Sequence, residues 1–465
     1  MKWIGIAVVA FAIVGAVLYL VGLRIVLSGG GTPRLAFVKS AERLAEEVER
    51  HRAAQRISES SNPGIPEFKS SVSPLAWTDF RGPARDGIYR EMSVVTDWPA
   101  TGLKPIWKQP VGGGYASFTV AHGRAFTIEQ RGPEEVVAAY DVLSGRELWT
   151  NKWRADFREL MGGDGPRATP VWSQGFVYAL GAEGELRSLD ENTGQPVWRT
   201  NILEDSGADN VQWGMAASPL IVDDMVIVMP GGSDGRSIAA YDRRNGTRLW
   251  SAQDDKTAYV SPMAVTLAGT RQLLVVTGSR MMGLSLDRGT LLWEYPWRTM
   301  NDINAAQPLV VGENRVFISS GYGQGAAVVE IVRSAARVES RDADFTVREI
   351  WRNARMKNRF ASSVLYEGHI YGLDESILAC IDASTGELKW KDGRYGYGQL
   401  VLANGHLIVL TEDGDLALVR AAPAAYQEIV RFSALSGKTW NVPAIADGIL
   451  LVRNLQEMAA YDLRK

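Results

Sequence analysis

The sequence predicts an all-β fold, an eight-bladed β-propeller of four-stranded antiparallel blades, and three observations carry that prediction. The first is a frame of Asp, Gly four residues on, and Trp four further, seen in Cys380 to Trp390 (Cys-Ile-Asp-Ala-Ser-Thr-Gly-Glu-Leu-Lys-Trp). It recurs as Asp141, Gly145, Trp149; Asp190, Gly194, Trp198; and Asp242, Gly246, Trp250, while Gly289 and Trp293 keep the spacing with Ser285 in the Asp place. The second is a set of eight strand starts, and the third is a pair of matching deficits at the two ends of the repeat array. Self-similarity at a fixed period is the signature of stacked supersecondary units.

Inside the frame the chemistry is that of a tight hairpin. The Asp side chain accepts backbone N–H groups in the turn, and Gly takes the position with positive φ. A short strand follows and ends on Trp, whose apolar face suits the gap between neighbouring sheets and whose indole N–H needs one partner. Deleting one such Trp, if buried, costs about 3–5 kcal/mol. These residues therefore read as structural.

The starts are a polar residue and Pro, or a substitute, ahead of a short apolar run: Thr169-Pro170, Ser218-Pro219, Ser261-Pro262, Gln307-Pro308 and Ser362-Ser363, with weaker forms at Ser117-Phe118, Gln399-Leu400 and Val442-Pro443. Each opens two β-rich runs around a turn such as Gln174-Gly175 or Glu367-Gly368. With the Asp-to-Trp hairpin this makes four strands in roughly forty to fifty residues, the dimensions of a propeller blade.

The end deficits predict the closure. Lys104 to Val111, with Trp107, looks like an outer strand with no hairpin before it, and Asn441 to Leu463 supplies three strands with no closing Trp. An N-terminal strand that completes the last blade would close the ring and remove its sheet edges. Trp77 to Tyr89, with turn signals at Gly82-Pro83 and Asp86-Gly87, opens the folded part and fits no blade.

Ahead of the propeller, expected over 76–465, the sequence predicts a membrane anchor over 1–30 and a stalk helix with linker over 31–75. Ile4 to Leu23 is an apolar run, about the twenty residues needed to span a bilayer. A cleavable signal peptide is the competing reading, opposed by the poor cleavage site in Tyr19 to Arg24. Lys2 precedes the run while Arg24, Arg34 and Lys39 follow it, so charge does not orient the span. Ala36 to Ser58 reads as a short charged helix with Leu44 and Val48 on one side, a solvated spacer, and Ser58 to Pro74 reads as linker.

Composition narrows the function. A net charge of −3 argues against nucleic acid as a partner, and four histidines with one cysteine leave little for a metal site. Cys380 sits in an apolar run and reads as a small buried hydrophobe. His122, His369 and His406 fall in turns and read as exposed residues rather than ligands, and Glu412-Asp413-Gly414-Asp415 reads as a hairpin turn. Asp205, Asp209 and Asn210 could bind Ca²⁺ or could simply be a solvated loop.

The Ala-x-Asp-x-x-Thr-Gly-x-x-x-Trp hairpins behind Ser-Pro starts are similar to those of the pyrroloquinoline quinone (PQQ)-like repeat propellers, a group that holds the quinoprotein alcohol dehydrogenases and the outer-membrane assembly factor BamB. Trp77 to Gly87, Gly321-Tyr-Gly-Gln-Gly325 and Arg394-Tyr-Gly-Tyr-Gly-Gln399 resemble the bacterial PQQ-binding-like branch. The resemblance spans Trp77 to Lys465 and implies the fold more than the activity. For an enzyme of the group it implies quinone over a central Ca²⁺, with a catalytic Asp and in many members a vicinal cysteine pair. Here no such pair exists, no haem motif is possible, and no catalytic residue or metal ligand stands out. Unlike the BamB lipoprotein, no lipobox cysteine accompanies the apolar run.

Tyr115, Gln307, Arg359, Gln399 and Asn441 fall at or just before inner-strand starts. They could share one mouth of the central channel, or only hydrogen-bond neighbouring blades. The expectation is a single-pass inner-membrane protein with its propeller in the periplasm, binding an unidentified protein or ligand and using no cofactor. The alternative is a quinoprotein dehydrogenase using PQQ with calcium on an alcohol or sugar.

Overall fold

The computed structural model describes residues 22–60, 76–159, 161–333 and 345–465, together with Leu18; for 57–60 it describes the backbone alone. Eight sheets of four or five strands form the propeller. In chain order, blades I to VII cover 119–154, 171–201, 220–252, 263–296, 309–353, 364–394 and 399–433. The first strands of neighbouring blades touch one another and so form the inner ring.

Blade VIII closes the ring as the end deficits require. Three strands between Ala444 and Asp462 are completed by the strand Trp107–Pro110, which pairs antiparallel with Glu457–Asp462 in the register Ala460 to Trp107 and Glu457 to Pro110. The chain ends are thereby locked together, and neither end of the array is left as an open sheet edge.

Both repeats have a structural cause. In the outer hairpins, the Asp190 carboxylate accepts the N–H groups of Asn192 and Thr193, and Asp382 does the same for Ser384 and Thr385. The closing Trp of a blade rests on the turn glycine of the next: Trp107 on Gly145, Trp149 on Gly194, Trp198 on Gly246 and Trp250 on Gly289. Trp351 does the same for Gly386, although no Asp-to-Gly frame precedes it. Trp293 and Trp390 are the exceptions: the Trp293 indole N–H turns to Gln272 of its own blade at 2.5 Å, and that of Trp390 donates to Ala422 O in the next blade's outer turn, which holds no glycine. Several of these rings are half-exposed, with one face on the neighbouring blade.

The strand starts form a hydrogen-bonded girdle. The Ser117 N–H donates to Thr169 Oγ1 at 3.0 Å, that of Thr169 to Ser218 Oγ at 2.9 Å, and that of Ser218 to Ser261 Oγ at 2.9 Å. Next, the Ser261 N–H donates to Gln307 Oε1 at 3.2 Å and that of Gln307 to Ser362 Oγ at 3.0 Å. Each polar residue before Pro thus accepts from the preceding blade, and each such buried bond contributes about 1 kcal/mol.

Trp77 to Tyr89 lies inside the ring. Val120 N–H donates to Trp77 O and Trp172 N–H to Thr78 O, which tie the segment to blades I and II. Arg81, fully buried, donates to Ser362 O, Ser363 O and Leu400 O, while Arg85 donates to Ser218 O, Pro219 O and Pro262 O. Asp79 balances Arg85 at 2.7 Å, and Ile88–Tyr89 adds a parallel strand to the inner edge of blade VII. Two arginines thus satisfy carbonyls left over where the inner strands begin.

The region before the propeller departs from expectation. The expected span lies outside the described residues except for Leu18, Gly22 and Leu23, and no helix among the described residues is long and apolar enough to cross a membrane. Leu23 opens a hairpin, Leu23–Leu27 paired with Pro33–Phe37, so the expected boundary between 30 and 31 falls in its turn. Helix α1, Ala41–Ser60, begins after Ser40, whose Oγ accepts the Arg43 N–H at 3.3 Å. It is not a solvated spacer. Leu44, Val48 and Arg52 are buried against the propeller, spaced four apart on one face.

The reason is Arg52. Its guanidinium donates to Pro110 O at 2.9 Å, lies 3.5 Å from Glu147, and sits over the Tyr140 ring at 5.0 Å. Tyr140 and Arg131 also hydrogen-bond the fully buried Glu129, and Arg453 donates to Gly112 O, whose own N–H is received by Glu129. A charge completes the apolar seam, which hydropathy alone does not reveal.

Candidate functional site

The links between blades, together with the turns joining second and third strands, gather on one face of the ring. They carry an aromatic wall. Tyr115, just before blade I, stacks on Trp440, just before blade VIII, at 5.2 Å; Trp440 meets Phe360 at 4.7 Å, and Phe360 meets Tyr397 at 6.1 Å.

Cations lie on this wall. Lys438 Nζ is 3.6 Å from the centre of the Trp440 ring and donates to Met161 O and Gly162 O. Burial pulls its ammonium down to about 8. Arg359 lies over Tyr322 at 4.8 Å and Tyr397 at 5.2 Å, and its Nε is 3.4 Å from Glu375. Arg167 lies over Phe157 and Tyr115, with its charge disfavoured by burial. Such cation–π contacts strengthen when desolvated.

Glu412 is the carboxylate at the centre. It comes from the turn between the second and third strands of blade VII and accepts the Trp440 indole N–H at 3.1 Å and the Tyr397 backbone N–H at 3.3 Å. Its remaining contact is with the N-terminal hairpin. The Gly29 N–H donates to Glu412 Oε1 at 2.6 Å, and the Gly29 carbonyl accepts from Arg359 Nη1. Tyr397 packs so closely beneath that a Cβ on Gly29 would lie 2.3 Å from its Cγ. Outside the mouth, Arg34 pairs with Asp413 at 2.9 Å.

The five sequence candidates divide into two groups. Tyr115 and Arg359 reach the mouth. Gln307 belongs to the girdle, its Nε2 donating to Ser261 O at 2.7 Å; Gln399 donates to Phe360 O at 3.3 Å; Asn441 donates to Gly114 O and Ala116 O. These three connect neighbouring blades. Glu412, read from sequence only as part of a hairpin turn, and Tyr397, Trp440 and Lys438 were not among the sequence candidates for the mouth, although the last three lie in inter-blade links as Tyr115 and Arg359 do.

The other candidates have structural partners. Cys380 is fully buried, and burial pushes its thiol up to about 11. Asp205, in the short helix α2 (Ile202–Ser206), accepts from Tyr241 and Arg248, while Asn210 donates to Ala182 O. His122 is half-buried against Glu191 at 3.1 Å, rather than an exposed turn residue. Among the described residues no three His, Cys, Asp or Glu side chains are grouped to hold a metal.

Residues 133–392 match the model of the family described as outer membrane protein assembly factor BamB. The chain belongs to this family. The BamB protein of Bordetella pertussis is 23% identical over 376 residues, spanning 72% of this chain and 92% of that protein. Among solved structures, BamB from Moraxella catarrhalis superposes with a TM-score of 0.54 at 16% identity, covering 77% of this chain and 99% of that one. A quinohemoprotein alcohol dehydrogenase from Comamonas testosteroni gives 0.56 at 12% identity, covering 91% of this chain and 84% of that one. At such identities the structures attest the PQQ-like propeller fold and not an activity.

Proposed function

We propose that the protein is a membrane-tethered, periplasmic interaction propeller whose mouth holds a protein partner. The observation that carries this reading is the pair Arg359 and Glu412, brought from different parts of the ring onto the carbonyl and N–H of a single residue, Gly29. Charged side chains that satisfy both backbone groups over an aromatic floor make a peptide-recognition arrangement. The relatives named as outer membrane protein assembly factors support an envelope setting.

The tether is supported by position. The apolar run ends at Leu23, where the hairpin starts. One hairpin face pairs Leu23 with Phe37 and Ile25 with Leu35, and Ile25, Leu35 and Phe37 are each at least 70% exposed. Such a face suits a bilayer surface directly beside a span.

A quinone site does not fit these residues. Calcium takes about six to eight oxygen ligands, whereas Glu412 is engaged by three N–H groups and shares the mouth with Arg359, Lys438 and Arg167. The purified full chain, titrated with PQQ and Ca²⁺, is expected to show neither stoichiometric binding nor dye reduction with alcohols or aldoses. Tight binding with substrate-dependent reduction would replace this reading with the dehydrogenase.

A further inference from the structure

We infer that the mouth is a receptor for a glycine-bearing β-turn, and that the N-terminal hairpin occupies it in cis until a turn of the same chemistry on a partner protein takes its place. The inference rests on the interaction reading above and specifies the ligand. The seated segment is Ser28 to Thr32, a turn closed by the Gly31 N–H on Ser28 O at 2.8 Å and the Ser28 N–H on Thr32 O at 3.0 Å.

Three features make the contact selective. Glu412 accepts the N–H of Gly29 and Arg359 donates to its carbonyl, so the site reads backbone rather than side chain. Tyr397 leaves no room for a Cβ at Gly29, and its Oη would meet one at Gly30 within 2.9 Å. Any residue larger than glycine at Gly29 must therefore displace an aromatic ring that also packs against Phe360 and Arg359. A tight turn can present N–H and C=O outward only where its own internal bonds do not use them, which is the state of Gly29 here.

The seat is also releasable. Among the described residues the hairpin pairs with no blade strand. Its rim contact, Arg34 with Asp413, is largely exposed on both sides, and exposed pairs of this kind contribute little. A tethered segment competes at high effective concentration, so a partner meets a mouth that is open only part of the time.

The test uses the full chain in detergent and a head-to-tail cyclic peptide carrying Val-Leu-Ser-Gly-Gly-Gly-Thr-Pro-Arg, the sequence of residues 26–34, titrated calorimetrically. Gly29→Val in the protein blocks its own tip, and Arg34→Glu loosens the hairpin from outside the mouth. Gly29→Val is expected to bind the peptide at least about tenfold more tightly than the unaltered chain, and Arg34→Glu a few-fold more tightly, since it removes only an exposed pair. Adding Arg359→Gln or Glu412→Gln to either variant should lower that affinity at least about tenfold, and a peptide with Val in place of its first glycine should not bind. Equal affinity for all three proteins, absence of binding to both opened variants with thermal midpoints retained, or binding indifferent to Arg359 and Glu412 would each overturn the inference. Peptide binding can fail while a partner is still captured elsewhere on the propeller, so this result and that of the interaction reading remain separable.

Discussion

Trp149 of blade I lies against Gly194 of blade II, where an added Cβ would come within 2.4 Å of Cε3, and its indole N–H donates to Glu191 O at 2.8 Å. One ring thus joins the outer strand of one blade to the outer turn of the next. Trp149→Ala is expected to cost about 3 kcal/mol, the low end for a Trp because the ring is only half-buried. Gly194→Ala meets both the ring and a φ of +68°. Because the residues touch, the double variant should lose less than the sum, and additive losses in denaturant unfolding would contradict the contact.

Closure makes a truncation prediction. Removing residues 1–75 deletes the hairpin and α1 but keeps the Trp77–Tyr89 segment and the closing strand, and should leave a cooperative propeller with a lowered midpoint. Removing 1–112 also deletes Trp107–Pro110, exposing the edge of Glu457–Asp462, and should abolish cooperative melting. Equal midpoints for the two truncations would contradict the closure.

A pH prediction comes from the cluster beneath α1. Burial pushes the Glu129 carboxyl up, but Arg131, Arg453 and Arg52 outweigh it and hold the group at about 2 against an ordinary value of 4.5. The folded state therefore binds this proton less tightly than the unfolded one. The stabilisation is fully present above the unfolded value and is lost as pH falls from there toward 2. The difference in melting midpoint between the natural chain and Glu129→Gln should be large at pH 7 and shrink below pH 4. A difference constant with pH would contradict the assignment.

The blades were legible because their signals are local. Asp382 and Gly386 encode a turn within a few residues, and Ser218-Pro219 marks a strand start. Trp351 escaped because its turn lacks the Asp-to-Gly frame, though the ring performs the same task. At the mouth, Tyr115 and Arg359 could be found from their place before inner strands. Glu412 could not, since Glu-Asp-Gly-Asp has the composition of any solvated turn and only the ring geometry brings it to Trp440 and Gly29. Ser28 to Thr32, divided by sequence between the expected anchor and stalk, escaped for the same reason: glycine and threonine look alike whether facing water or seated in a site. Arg52 was hidden because a charged residue does not count toward an apolar seam.

Topology is checked with spheroplasts. Added protease should digest the propeller without lysis, since the proposed orientation places it outside the cytoplasmic membrane. Full protection until lysis would reverse that orientation.

The most direct measurement of the central reading is site-specific photocrosslinking in intact cells, with the crosslinking residue at Asp413 on the rim of the mouth or at Val197, an exposed position on the outer strand of blade II. The account predicts a discrete protein adduct from position 413, none from 197, and loss of the adduct when Arg359→Gln and Glu412→Gln are added. The same adducts from both positions, or an adduct at 413 unaffected by those two substitutions, would contradict the mouth as the interaction site.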